Sequence, residues 1–337
     1  MKATAKQSVL RNDPFRKPIW AVSQAKTSHF AGQNEPFRNT LEINRLHIIT
    51  TKPIKTMISI DNITFRYPGT RRNIFENLSL ELKENNIYGL LGKNGIGKST
   101  MLYLISGLLR PNAGRITVDG QDTRMRSVSM LSEMFIVPEE FELPSTTLDE
   151  YVRINAQFYP RFSRDVLESC LNDFELSPAL RLGALSMGQK KKVFMSFALA
   201  TNTKLLLMDE PTNGLDIPSK SQFRKVVANN MADDRTLVVS THQVHDIESL
   251  LDHIVIFDHK GIALDASVAD VCDRYVFENR RPGEDLSDAI YKETSMQGAS
   301  VIAPRGNREE TPVNLELLFN AAVCGCFANN GRKEDGQ

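Results

Sequence analysis

Eight consecutive residues, Gly92-Lys93-Asn94-Gly95-Ile96-Gly97-Lys98-Ser99, followed by Thr100, satisfy the pattern G-x-x-x-x-G-K-[ST]. Glycines at 92, 95 and 97 let successive backbone N–H groups turn inward around phosphate oxygens. Lys98 would add a charge at the β- and γ-phosphates, and the Ser99 hydroxyl is suited to Mg²⁺. Two further groups have the chemistry for phosphate-ester hydrolysis. Leu205-Leu206-Leu207-Met208 runs into Asp209 and Glu210, two acids at the end of an apolar stretch. Asp209 is positioned to hold the metal shell and Glu210 to polarise an attacking water. Ser240-Thr241-His242 ends another apolar run, and His242 is a candidate contact for the γ-phosphate. The ligand implied is a nucleoside triphosphate with Mg²⁺.

These residues need strands to end beside them and a helix to open at Lys98. Asn86-Ile87-Tyr88-Gly89-Leu90-Leu91 predicts a buried strand, and Met101, Leu104, Ile105 and Leu108 recur at helical spacing. That helix would direct the positive end of its dipole at the phosphates. Met57-Ile58-Ser59-Ile60-Asp61-Asn62-Ile63-Thr64-Phe65 alternates as a strand does, and Arg115 to Gly120 predicts another after the turn 111–114. Residues 237–240 and 254–257 are further strands. From 57 onward strands alternate with helices, which predicts an α/β core. On a parallel sheet, ligands lie beyond the carboxyl ends of the strands, where Asp209 and His242 fall. Residues from about 140 to 187 are helical in period, with Leu148, Val152 and Ile154, then Val166, Leu167 and Leu171, and read as an inserted helical subdomain. The expected division is an extension over 1–56, an ATPase domain over 57–260 and a small C-terminal appendage over 261–337. In the last, Leu315, Leu317, Leu318 and Phe319 form a docking patch.

Residues 1–56 are basic, poor in acids and rich in Ser and Thr, with Pro14, Pro18, Pro36 and Pro53 and no sustained period. They are expected to be disordered and to lie upstream of a natural start at Met57, with a transit-like peptide as the alternative. No apolar core follows the basic start, as a secretory signal requires. Over all 337 residues, Lys+Arg and Asp+Glu are both 41, and 41% of residues are hydrophobic. Zero net charge gives no bulk attraction for nucleic acid. The apolar stretch from Leu315 to Ala328 is interrupted by Glu316 and Asn320 and is shorter than the roughly 20 residues of a membrane helix. The four cysteines have neither zinc nor redox spacing, and a reduced cytosolic protein is the simplest reading.

In this order, the pieces resemble the ATP-binding cassette family. The decisive segment is Leu185-Ser186-Met187-Gly188-Gln189, which is similar to that family's signature, together with Pro211-Thr212-Asn213-Gly214-Leu215-Asp216 after the two acids. The resemblance runs from about Met57 to about Phe257. It implies a P-loop NTPase core with an inserted helical subdomain, and an aromatic, Tyr67, stacked on adenine. It also implies two cassettes facing head to tail, as a homodimer or heterodimer, with Ser186, Gly188 and Gln189 of the signature serving ATP on the other cassette, and Asp216 as a further nucleotide-site residue. Ser186 fits as a helix N-cap, and the basic run Lys190-Lys191-Lys192 reads as that helix's solvated face. Met187 replaces the usual glycine of the signature. Glu139, within Phe135-Ile136-Val137-Pro138-Glu139-Glu140, stands where the family usually has a glutamine that senses metal and water. A carboxylate there loses the amide donor and adds charge near Mg²⁺, so a stronger demand for the metal is expected.

The function implied by the resemblance is the ATP-hydrolysing subunit of a bacterial exporter. It would lie on the inner face of the cell membrane and drive separately encoded membrane-spanning subunits. A soluble cassette ATPase working on ribosomes or DNA is the principal rival, although the chain has one cassette and no sustained heptads. A nucleotide-dependent binding module without turnover is a second. A small-molecule kinase would lack the segment 185–189.

Overall fold

The computed structural model describes residues 55–231 and 234–327. The expected extension falls almost wholly outside the described residues. Its boundary shifts slightly, because Thr56 already belongs to β1 (Thr56–Phe65) and pairs with Lys83.

A six-stranded sheet forms the centre, in the order β10-β9-β3-β8-β7-β6. Its strands are β3 (Ile87–Leu91), β6 (Met134–Val137), β7 (Leu205–Asp209), β8 (Thr236–Thr241), β9 (His253–Asp258) and β10 (Gly261–Ser267). All neighbouring pairs are parallel except β9 with β10. Near-continuous apolar runs are what a sheet covered on both faces requires. Period-two alternation divides each run between two layers. Leu206, Met208, Leu237 and Val239 face one layer, and Leu205, Leu207 and Val238 face the other.

The second layer holds helix α1 (Lys98–Ile105), whose Met101, Leu102, Leu104 and Ile105 are buried. It is closed by an antiparallel sheet, β2-β1-β4-β5, of β1, β2 (Phe75–Lys83), β4 (Ala113–Val118) and the short β5 (Gln121–Asp122). The strand predicted from Arg115 therefore begins two residues earlier, because Ala113 pairs with Thr64. A short helix, α2 (Val128–Leu131), leads into β6.

The first layer carries the helical region: α3 (Leu148–Asn155), α4 (Arg164–Asp173) and α5 (Met187–Ala200). Thr147, Ser163 and Ser186 each accept a backbone N–H of the first turn and so fix where these helices begin. Phe135 on β6 contacts the rings of Phe194, Phe197 and Tyr159, which joins the helical region to the sheet. Leu148, Val152, Leu167 and Leu171 are buried as the helical period predicts, whereas Ile154 is exposed. Helix α6 (Ile217–Asn230) follows β7.

From residue 261 onward lies the stretch expected to form a small C-terminal appendage. β10 is an edge strand of the central sheet, and α7 (Val268–Arg274) leads out of it. A three-stranded antiparallel sheet, β11-β13-β12, then forms from β11 (Tyr275–Arg280), β12 (Tyr291–Ser295) and β13 (Gly298–Pro304). Helix α8 (Leu315–Val323) returns to the first layer, burying Leu315, Leu317 and Leu318. Burial of each contributes about 1.5–3 kcal/mol to docking the helix. Phe319, included in the expected patch, is only partly buried.

Candidate nucleotide site

The loop 92–97 leaves the carboxyl end of β3 and enters α1. Gly97 has φ 115°, and a Cβ there would come within 2.7 Å of Ile74 and 2.8 Å of Phe75. Both the left-handed backbone and the crowding demand glycine. At Gly92 the constraint is packing, since a Cβ would meet the Ile96 side chain at 2.7 Å and force it to shift. The Lys98 ammonium donates to the carbonyl of Gly92 at 2.8 Å and lies 3.5 Å from Glu210 Oε1.

The adjacent parallel strands β7 and β8 bring the acids beside this loop, pairing Asp209 with Ser240. The Ser240 hydroxyl donates to Asp209 Oδ1, while Oδ2 is buried with no hydrogen-bond partner. Burial raises the Asp209 pKa, the Ser240 and Ser99 hydroxyls oppose the rise, and the charges of Glu139 and Glu210 add to it. A buried carboxylate oxygen without a partner, next to a serine hydroxyl, is a donor set that fits a hard divalent cation.

Glu210 is gripped on both oxygens. Oε2 accepts from the Thr241 hydroxyl at 2.9 Å, and Oε1 accepts from the His242 backbone N–H at 3.1 Å. His242 Nδ1 lies 2.8 Å from the same Oε1, which fits the tautomer protonated at Nδ1. Glu210 itself has φ 44°, an uncommon conformation outside glycine. Its N–H donates to the Ser240 carbonyl at 2.9 Å.

Glu139, just beyond β6, accepts from Asn213 Nδ2 at 2.7 Å. Tyr67 pairs its hydroxyl with that of Thr100 at 3.0 Å and lays its ring edge-on to Phe65. These groups surround a cleft of about 470 Å³ lined by Tyr67, Asn94, Gly95, Gly97, Lys98, Ser99, Thr100, Glu139, Glu210, Asn213 and His242. Gly92, Lys93 and Ile96, also expected at the site, do not line it. Gly92 and Lys93 instead offer carbonyls to Lys98, and Ile96 packs into the second layer.

Ser186, Gly188, Gln189 and Asp216 do not line the cleft either. Ser186 and Gln189 form a reciprocal capping box at the start of α5, with bonds of 3.3 and 3.0 Å. A Cβ on Gly188 would find only Leu215, at 4.0 Å. Asp216 caps α6 by accepting the Ser219 N–H at 2.8 Å. Hydrogen bonding from the Ser219 side chain, then from its N–H, lowers the Asp216 pKa. The neighbours of these two segments are exposed, Met187 at 64% and Ile217 at 84%.

The basic run on α5 is not the solvated face that the sequence suggested. Lys191 is 5% exposed and donates to the carbonyls of Glu210 and Asn213. Lys192 donates to Gln222 and lies over the Phe174 ring. Thr241, Asn213 and Lys191, together with Ile74, which lines the cleft, are site contacts that the sequence does not single out. Thr241 and Asn213 lie inside the motifs that contain His242 and follow Glu210, and that proximity is the signal the sequence offers for them.

The ABC transporter family profile matches residues 75–213. The methionine import ATP-binding protein MetN of Carboxydothermus hydrogenoformans is 35% identical over 231 residues, covering 64% of this chain and 67% of that protein. The bacitracin transport ATP-binding protein BcrA of Bacillus licheniformis is 30% identical over 217 residues, covering 63% of this chain and 70% of its own. An arabinose import ATP-binding protein of Burkholderia ambifaria is matched over 52% of its length. Among solved structures, an ATP-binding subunit of an ABC transporter superposes with TM-score 0.57 at 26% identity, covering 64% of this chain and 92% of that one. A bacterial Atm1-family ABC exporter with ATP bound gives 0.55 at 26% identity, covering 64% and 40%. With the phosphate loop, the strand-end acids and these relatives in agreement, the chain belongs to the ABC transporter family, among its ATP-binding proteins.

Proposed function

We propose that this chain hydrolyses ATP to drive a membrane transporter whose spanning subunits are separate polypeptides. The observation that carries the reading is Glu210, held by Thr241 and His242 at the mouth of the phosphate loop and 3.5 Å from Lys98. Lys98 would exchange the Gly92 carbonyl for phosphate oxygens, and the loop N–H groups would complete the cradle. Ser99 and Asp209 would hold Mg²⁺, with Glu139 next to them. The ion supplies charge neutralisation on the phosphate oxygens. Glu210 would orient water and take its proton, and His242 would hold Glu210 in place and reach the γ-phosphate. Tyr67 would pack against the base.

The exposed segments Ser186–Gln189 and Asp216–Ile217 support a head-to-tail dimer in which each meets the nucleotide of the second cassette. Among the described residues, no helix is long and apolar enough to cross a membrane. We read the chain's position as peripheral on the inner face, docked on partner subunits. We read the direction as export, supported by the likeness to the ATP-bound exporter. The methionine import relative supports the opposite direction.

Purification from detergent-solubilised native membranes tests the assembly, and an ATPase assay tests the chemistry. A co-purifying multi-spanning protein and Mg²⁺-dependent phosphate release are expected. Ribosomal or DNA-bound partners, or no hydrolysis, would overturn the reading. Substrate flux in vesicles containing the complex reports direction.

A further inference from the structure

Lys191 stands beneath the proposed site, outside every role described for it. It lies on α5, five positions beyond Ser186, and its ammonium is buried. Nζ donates to the Glu210 carbonyl at 3.0 Å and to the Asn213 carbonyl at 2.7 Å. Burial lowers its pKa, and Glu139, Glu210 and Asp209 oppose the shift in that order. Those acids supply the negative surroundings that a buried ammonium needs.

Each carbonyl belongs to a segment with work to do. Glu210 has its backbone at φ 44°, and its carbonyl also accepts from Asn213 N–H at 3.1 Å. Asn213 in turn holds Glu139 through its amide. One ammonium thus ties α5 to the acid, to the turn after it and, through that turn, to the residue at the end of β6. The amino end of the same helix exposes Met187 and the Ser186–Gly188 segment, where a second cassette's nucleotide would dock.

We propose that Lys191 is a positioning residue that links the signature helix to this chain's own Glu210. Engagement of Ser186 and Gly188 by nucleotide on the second cassette is thereby reported to the hydrolytic acid of the first. The link is direct because a movement of α5 carries the ammonium, and the ammonium carries the Glu210 and Asn213 carbonyls. This inference rests on the proposal that the chain hydrolyses ATP as a dimer.

The test compares wild type with Lys191→Met, which keeps the length and removes the donors, and Lys191→Gln, which keeps one donor group at shorter reach. Turnover, the Hill coefficient for ATP and the equilibrium Kd of a fluorescent ATP analogue are measured on the full chain. In Lys191→Met, kcat should fall about tenfold or more and the Hill coefficient should approach one, with Kd within about twofold of wild type. Lys191→Gln should be intermediate in kcat with the same Kd, and it carries the test if the Met variant does not fold. A folded variant with wild-type kcat and Hill coefficient overturns the link. A Kd that weakens in step with kcat also overturns it, because that is the mark of general damage to the site. Absence of hydrolysis by wild type would instead defeat the proposed ATPase function.

Discussion

His242 Nδ1 lies 2.8 Å from Glu210 Oε1, across the carboxyl ends of the neighbouring strands β7 and β8. The two residues are 32 positions apart in the chain. Parallel pairing brings them together. With Thr241 on the other oxygen, the acid has one orientation, facing the cleft above the phosphate loop.

Glu210→Gln removes the base and keeps the shape. Turnover should fall by about 10²–10⁴-fold with ATP binding retained, and ATP should trap a dimer visible by size-exclusion chromatography. Full-rate hydrolysis by this variant would remove Glu210 from the proposed mechanism.

Lys98→Ala deletes a donor whose charged hydrogen bonds are worth about 1.5–3 kcal/mol each. Nucleotide Kd should rise about tenfold or more, as read by equilibrium dialysis. The Gly92 carbonyl that Lys98 now satisfies is buried, so the variant should also lose about 1–3 kcal/mol of stability, read as a lower melting temperature.

Glu139→Gln restores the amide that the family usually carries at this position. The Asn213 contact at 2.7 Å has an acceptor in either residue, so the fold should be unaffected. The Mg²⁺ concentration for half-maximal turnover should shift. Identical metal titrations would show that the carboxylate sets no metal demand.

Asp209→Asn tests a stability cost at the site. Burial raises the Asp209 pKa, so its contribution is most favourable below the unfolded-state value and is lost as pH rises through the folded-state value. At neutral pH the neutral amide should therefore melt higher, by about 2–4 °C for each kcal/mol relieved. The same variant should lose Mg²⁺-dependent turnover. A lower melting temperature at neutral pH would contradict the assignment of Asp209 as a buried, under-compensated carboxylate.

The tail of the chain carries its own pH dependence. His245 Nε2 lies 2.8 Å from Glu316 on α8, and this hydrogen bond raises the His245 pKa above the usual imidazole value. The stabilisation is complete below the unfolded-state pKa, near 6.5, and is lost as pH rises through the raised folded-state value. Relative to wild type, Glu316→Gln should be destabilised at about pH 5.5–6 and should converge with it above pH 8. Parallel melting curves across that range would show that the pair does not anchor α8.

Much of the candidate site was legible because its chemistry is local in sequence. Gly92 to Ser99 contains the glycines, the cation and the hydroxyl within one strand–loop–helix unit, and flanking periodicity predicted that unit. Asp209, Glu210 and His242 were legible as ends of apolar runs, since a buried parallel strand must stop where polar residues begin. The helical period of 148–171 marked the inserted region for the same reason.

Tertiary structure decided what those residues touch. A lysine in a basic run has the same sequence signature whether it faces water or two carbonyls, and only the approach of α5 to the turn after β7 buries Lys191. The restraint on Glu210 comes from a neighbouring strand, and the place of β10 in the central sheet comes from pairing with β9. Period and spacing record which face of an element is apolar and where it ends. They carry no record of which distant backbone atoms meet that face, because strand order and helix approach fix those contacts.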